Sequence, residues 1–301
     1  MCASQFSAAC PSCRSAASAT ITRASGWVPR SRRRTSSRRS PRHTRARPRR
    51  DMSTPLKKVS AKPELLLSTQ HHLCPGCGEP LAMRTILEII AELGMRDRTI
   101  CVCGIGCYTA FPGIIDVDVL QALHGRAPSV ATGAKRVLPD RFVFTLQGDG
   151  DMVSEGLQEI VHSAARGEKF TAVLLNNGVF GETGGHMTTT SVLGQRTKTT
   201  MDTGRLAEQH GYPIKIADLI AQVDGAAYVA RGAMHTPAAI AWTKRILTEA
   251  FQAQLERKGF SFVEILTMCP TDWYVEPSET PDWIEQNFTG TYPLKILKAP
   301  A

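Results

Sequence analysis

FVFTLQGDGD (142–151) and TAVLLNNGVFG (171–181) are the two stretches on which the fold of this chain turns. Each opens with an apolar run of strand length, Phe142–Leu146 and Thr171–Leu175, and each run stops at glycines and small polar residues. Between them, apolar side chains at 153, 157, 160, 161 and 164 mark one face of a helix over Val153–Ala165. A strand, a crossover helix and a second strand form a βαβ unit, so the two strands run parallel and end at the same edge of the sheet. The loops that follow Leu146 and Leu175 are therefore expected side by side.

The same alternation extends outward in both directions. Leu81–Leu93 carries apolar residues at 83, 86, 87, 90 and 93, with Pro80 suited to a first helical turn. Thr99–Val102 reads as a buried strand and Val119–Ala134 as a helix. A further helix begins at Ala217–Ala221, Ala238–Leu255 is a long amphipathic helix, and Phe260–Leu266 is a strand. Strands alternating with helices predict an α/β fold, a doubly wound and mostly parallel sheet. Ligands of such sheets sit at the carboxyl ends of strands, which directs attention to the segments after Leu146, Leu175 and Leu266.

Charge is distributed unevenly. The 301 residues carry a formal charge of +9, yet residues 1–50 hold 13 Arg, no Lys and no acidic residue. The remaining residues have 23 basic and 27 acidic groups, a net of −4. The basic balance thus belongs to a tail, and the body gives no electrostatic reason to bind nucleic acid. The Arg/Ser-rich segment 1–51 is expected to be a disordered extension and 52–301 the working domain. An organelle-targeting segment, a polyanion-binding arm and a start placed upstream of Met52 all fit its composition; the abrupt change at Asp51–Met52 favours the last. Cys10 and Cys13 within it are read as chance. No run approaches 18 consecutive apolar residues, so no membrane span is expected, and a cytoplasmic location is.

Chemistry concentrates in the loops. Glycines at 148 and 150 let backbone N–H groups approach phosphate oxygens, and Asp149 and Asn177 supply hard oxygen ligands of the kind Mg²⁺ takes. Gly-Asp-Gly alone is an ordinary turn. Gly-Asp-Gly followed after 25 residues by Asn-Asn, each at a strand end, is far more specific. Cysteines supply a second theme. Cys74-Pro-Gly-Cys77 lies in a turn before a helix, Cys107 in a glycine-rich loop after a strand, and Cys269 directly after another strand. Four thiolates gathered at one end of a sheet suit zinc or an iron–sulfur cluster, and spacing alone does not choose between them. Cys101 and Cys103 alternate on a strand and are read as core packing.

These motifs together resemble the β subunit of 2-oxoacid:ferredoxin oxidoreductases. The likeness runs from about His71 to Leu297, through HHLCPGCGEP (71–80), GIGC (104–107), HGRAPSVATG (124–133), QGDGD (147–151), LLNNGVFGETGG (174–185), LGQRT (193–197) and ILTMCPTDW (265–273). It is strongest to the 2-ketoisovalerate and 2-oxoglutarate types and weaker to the pyruvate type.

The resemblance implies the diphosphate-binding half of a thiamine-diphosphate (ThDP) fold. It implies one [4Fe–4S] cluster on Cys74, Cys77, Cys107 and Cys269, and Mg²⁺ on Asp149, Asn177 and the Val179 carbonyl. Gly148, Gly150, Asp151, Gly181 and Thr183 would line the diphosphate pocket, with His124 and Arg126 near the reactive end. The implied reaction is oxidative decarboxylation of a 2-oxo acid to acyl-coenzyme A and CO₂, with electrons leaving through the cluster to ferredoxin. The activating Glu belongs to a partner α subunit, in a hetero-oligomer that in some relatives has further γ or δ chains, so the isolated chain is expected to be inactive. Ala110 stands where some relatives carry Lys, which disfavours a dicarboxylic 2-oxo acid and favours a branched or aromatic one, a branched-chain acid such as 2-ketoisovalerate first, with 2-oxoglutarate or pyruvate as the alternatives. The alternative is a non-redox ThDP decarboxylase or carboligase subunit, which would give the four cysteines no role.

Overall fold

A computed structural model of the chain describes residues 61–300. The expected extension 1–51, with Cys10 and Cys13, lies outside the described residues. The strands are β1 Thr99–Cys103, β2 Asp118–Gln121, β3 Phe142–Gly148, β4 Thr171–Asn176, β5 Val179–Phe180, β6 His186–Met187, β7 Ala226–Ala233, β8 Phe260–Leu266 and β9 Lys295–Lys298. Seven of them form one sheet in the order β2-β1-β3-β4-β8-β7-β9. Every neighbouring pair is parallel except β7 with β9, which gives the mostly parallel sheet expected of the alternating pattern. β5 and β6 pair separately as a short antiparallel hairpin.

Helices are α1 Glu79–Glu92, α2 Ala127–Val137, α3 Leu157–Ala165, α4 Ala207–His210, α5 Ile216–Ala221, α6 Pro237–Leu255, α7 Pro270–Trp273 and α8 Thr280–Asn287. They cover both faces of the sheet. Alternate strand residues point to opposite sides: Phe142, Phe144, Val173 and Ile265 pack with α1 and α6, whereas Val143, Ala172, Leu174 and Phe262 pack with α2, α3 and α5. With both faces covered, β4 and β8 are buried along their whole length, which is why they read as unbroken apolar runs. Phe251 of α6 meets Phe142 edge-on at 4.8 Å between centroids, a contact that anchors the long helix on the sheet. α6 starts where Thr236 caps the Ala239 N–H at 3.1 Å, just before Pro237.

Three segments differ from the sequence expectation. Val119–Ala134 is not one helix: residues 118–121 form the edge strand β2, and α2 begins only at Ala127. Gly125, at φ +71°, interrupts the chain there, and Pro128 suits the new helix's first turn. The helix expected from Val153 starts at Leu157, because Gly150–Glu155 winds as a wider π-type turn. β7 has no counterpart in the sequence reading. Its sequence, AAYVARGA, is rich in Ala and Gly and carries Arg231, fully buried between Glu264 at 2.7 Å and Asp218 at 2.6 Å. Among the described residues, no helix is long and apolar enough to cross a membrane.

Candidate active site

Parallel strands deliver their following loops to one edge. Here β2, β1, β3, β4 and β8 are consecutive in the sheet, and the segments leaving them carry His124, Cys107, Asp149, Asn177 and Cys269 respectively. The CxxC turn reaches the same edge from α1. The Gly78 N–H donates to the Met268 carbonyl at 3.0 Å, and a Cβ on Gly78 would meet the Met268 nitrogen at 2.6 Å. The close approach that only glycine permits brings Cys77 up to the Cys269 loop.

Asp149 is 1 % exposed. One carboxylate oxygen accepts from the Thr188 hydroxyl at 2.6 Å and from the Thr190 hydroxyl, while the other accepts the Asn177 N–H at 3.4 Å. All three donors are uncharged. Burial pushes Asp149 up to about 6, against the pull of the Thr188 and Thr190 hydrogen bonds. A buried carboxylate given neutral donors and, among the described residues, no basic partner is the environment in which a divalent cation supplies the missing charge. The Asn177 side-chain oxygen accepts the Val179 N–H at 3.0 Å, which fixes the Asn177 amide beside Asp149. Asn176, the other half of the pair, turns away: its amide donates to Glu264 at 2.7 Å.

Asp151 does different work from its neighbour. Its carboxylate accepts the Gly125 N–H at 2.6 Å, the Tyr108 hydroxyl at 2.8 Å and the Gln147 amide at 2.8 Å. It lines the cavity but spends its lone pairs tying the His124–Arg126 loop and the Cys107 loop to β3. The glycines around it are sterically required, since a Cβ on Gly150 would sit 2.4 Å from the Phe180 ring.

One cavity is lined by Gly148, Asp149, Gly150, Asp151, Asn177, Val179, Gly181 and Thr183, together with His124 and Cys107. Arg126 is not among its lining residues; its guanidinium pairs with Glu159 on α3. A second cavity brings together Cys74, Cys77, Cys107 and Cys269 with Glu79, Glu182 and Asp272. Cys107, Asn177, Gly181, Glu182 and Glu79 line both. Burial pushes the Cys77, Cys107 and Cys269 thiols up, with Glu79 next in effect on the first two and Asp272 on the third. Binding a metal there displaces protons. Cys101 and Cys103 are buried in the core, as their alternation suggested.

Several residues of this edge escaped the sequence reading. Thr188 and Thr190 hold Asp149, and the Thr-Thr-Thr run after the β5–β6 hairpin was the available signal. Glu79 is 3 % exposed, and one of its oxygens has no hydrogen-bond partner. Burial, reinforced by Asp149 and Glu182, pushes it up to about 8. Its position two residues after Cys77 was the only clue.

Residues 63–265 match the family described as thiamine pyrophosphate enzyme, C-terminal TPP binding domain. The chain is 33% identical over 252 residues to the ketoisovalerate oxidoreductase subunit VorA of Methanothermobacter thermautotrophicus, covering 80% of this chain and 53% of that one. It is 34% identical over 215 residues to the 2-oxoglutarate synthase subunit KorB of Archaeoglobus fulgidus, covering 71% and 76%. The chain thus spans about half the length of the ketoisovalerate relatives and about three quarters of the Archaeoglobus one. Among solved structures, the 2-oxoglutarate:ferredoxin oxidoreductase from Magnetococcus marinus, with 2-oxoglutarate, coenzyme A and succinyl-CoA bound, superposes with a TM-score of 0.65 at 26% identity, over 81% of this chain and 87% of that one. The chain belongs to the thiamine-diphosphate-binding family and, within it, to the β subunits of 2-oxoacid:ferredoxin oxidoreductases.

Proposed function

We propose that this chain supplies the diphosphate-holding and cluster-holding half of a 2-oxoacid:ferredoxin oxidoreductase that converts a 2-oxo acid, coenzyme A and oxidised ferredoxin to acyl-CoA, CO₂ and reduced ferredoxin. The observation that carries the reading is the shared wall of the two cavities: Cys107 and Asn177 face both the four-cysteine pocket and the Asp149 cradle. This supports a redox centre next to the cofactor, an arrangement for which a non-redox decarboxylase has no use.

Asp149, the Asn177 amide and the Val179 carbonyl are the oxygens that would hold Mg²⁺ against the diphosphate. Gly148, Gly150, Asp151, Gly181 and Thr183 shape the pocket around it, and His124 stands at its mouth. Thiamine diphosphate, when bound, supplies the carbanion chemistry that releases CO₂. Cys74, Cys77, Cys107 and Cys269 would ligate the [4Fe–4S] cluster. A cluster rather than a zinc ion is supported by the wall this cavity shares with the Asp149 cradle, since a redox centre there has electrons to carry and a zinc ion has none.

Substrate choice follows from the residue at 110. Ala110 offers no charge to a second carboxylate, which supports a branched-chain 2-oxo acid such as 2-ketoisovalerate over 2-oxoglutarate. The activating Glu is assigned to a partner α subunit. The test is viologen or ferredoxin reduction by the chain alone and by the complex with that partner. Activity that needs both subunits, a 2-oxo acid and coenzyme A supports the proposal. Turnover by the chain alone, or CO₂ release with no electron acceptor required, contradicts it.

A further inference from the structure

We infer that a cavity at the opposite edge of the sheet, walled by Arg98, Lys135, Arg141 and Arg257, is a binding site for a phosphate group. It lies where β1, β3 and β8 begin, whereas the cofactor loops leave those strands at their far ends, and it is independent of the function proposed above.

Arg98 and Arg141 immediately precede β1 and β3, Lys135 lies in the last turn of α2, and Arg257 lies between α6 and β8. Three of the four reach the turn at 138–141. Arg98 donates to the Asp140 carbonyl at 2.7 Å, Lys135 to the Arg141 carbonyl, and Arg257 to the Asp140 carboxylate at 2.9 Å. The Arg141 guanidinium donates to the Asp97 carbonyl. Each guanidinium thus spends a donor on fixing its direction and, among the described residues, keeps the rest of its five without a protein acceptor. The cavity between them measures about 70 Å³. That is room for a few waters or one tetrahedral oxyanion, well below what a drug-sized ligand or a partner's chain segment fills.

The charges around it do not balance. Among the described residues Asp140 is the one carboxylate lining the cavity, and its side chain is 80% exposed, so water screens its effect. Asp97 and Glu256, the chain neighbours of Arg98 and Arg257, face Arg96 at 4.0 Å and Lys258 at 2.6 Å instead. The C-termini of α2 and α6 contribute about half a negative charge each, which leaves roughly two of the four positive charges uncompensated. Burial pulls the Lys135 ammonium below its ordinary value, and repulsion by Arg257 and Arg98 adds to that against the pull of Asp140. A phosphate dianion relieves this repulsion through charge-assisted hydrogen bonds, for which guanidinium groups have the matching geometry. The backbone adds a second observation. Arg257 follows the C-cap of α6, where helices commonly turn through a left-handed glycine, and it adopts φ +58° itself. A cation therefore stands where the backbone favours glycine.

The test compares the native full chain with Arg257→Gly, which suits the left-handed backbone and removes one wall cation. Inorganic phosphate is titrated by isothermal calorimetry at constant ionic strength set with potassium chloride, with EDTA present so that no metal bridges phosphate to Asp149. The Arg-rich residues 1–50 and the cofactor cradle are the same in both chains, so the difference between them reports this cavity. The native chain should show saturable phosphate binding, weakened about tenfold or more in Arg257→Gly and likewise in Lys135→Gln. Phosphate should also raise the Tm of the native chain more than that of Arg257→Gly, whose phosphate-free Tm is unchanged or higher. No saturable binding by the native chain overturns the proposal, as does binding that either folded variant leaves unchanged. AMP titrated in parallel identifies the source: affinity above that of phosphate, lost in Arg257→Gly, marks a nucleotide's phosphate, and equal or lower affinity marks the free anion. Arg257-dependent binding of poly-glutamate with none of phosphate overturns the proposal in favour of an acidic protein surface.

Discussion

Asp149 is held by two threonines and, among the described residues, by no basic side chain, and that makes its neighbours testable. A hydrogen bond to a charged acceptor contributes about 1.5–3 kcal/mol, so removing one should weaken Mg²⁺-dependent cofactor binding roughly tenfold. Thr188→Val and Thr190→Val are each expected to do so, read by fluorescence titration. Trp273 is a built-in reporter, since its indole N–H donates to the Asn177 carbonyl at 2.8 Å. An unchanged dissociation constant would show that the threonines only support the fold. Glu79 gives a pH prediction. Its folded-state pKa is raised from 4.5 to about 8, chiefly by burial. The folded chain therefore holds this proton more tightly than the unfolded one, and the resulting stability is present below 4.5 and lost as pH rises through 8. Thermal unfolding of the metal-free chain should show falling stability across that window, and Glu79→Gln should flatten the fall; a Glu79→Gln curve parallel to the native one would refute the assignment. Asp149 and Asn177 were legible because glycines and spacing mark them. Thr188 and Thr190 were not, because partners about 40 residues from Asp149 leave no local trace.

Between residue and molecule, the crossing of the His124–Arg126 loop over the start of α3 controls how the site is assembled. Gly125 and Gly156 touch so closely that a Cβ on either would lie 2.6 Å from a backbone oxygen of the other segment. Gly125→Ala, at φ +71°, should destabilise the chain by on the order of 2 kcal/mol and lower Tm by roughly 4–8 °C. Gly133→Ala in α2, where a Cβ meets nothing within 4 Å, should instead stabilise by about 0.5–1 kcal/mol. Calorimetry on the pair checks both signs, and equal effects would mean the crossing is not tight. The same scale explains which elements the sequence disclosed. β3, β4 and β8 are buried on both faces and read as continuous apolar runs, whereas β2 is an exposed edge strand whose apolar spacing imitates a helix. β7 stayed hidden because Arg231 sits in its middle, a charge the strand tolerates only because Glu264 and Asp218 meet it.

At the scale of the whole molecule, the two cavities occupy one edge of the sheet because parallel strands send every loop there. That topology was readable from alternation alone; the shared wall was not, since it depends on α1 docking its CxxC turn against the loop after β8. Cysteine spacing left zinc and iron–sulfur equally open, and the reading of a cluster rests on the four-cysteine cavity sharing a wall with the Asp149 cradle. Everything proposed for this edge depends on a redox cluster beside the thiamine-diphosphate cradle. Its most direct test is the absorbance spectrum, iron and acid-labile sulfide content of the full chain purified without oxygen. The expected result is a brown protein with about four irons and four sulfides per chain, its colour bleached by dithionite and lost in Cys107→Ser or Cys269→Ser. A colourless chain holding a single zinc ion would contradict it.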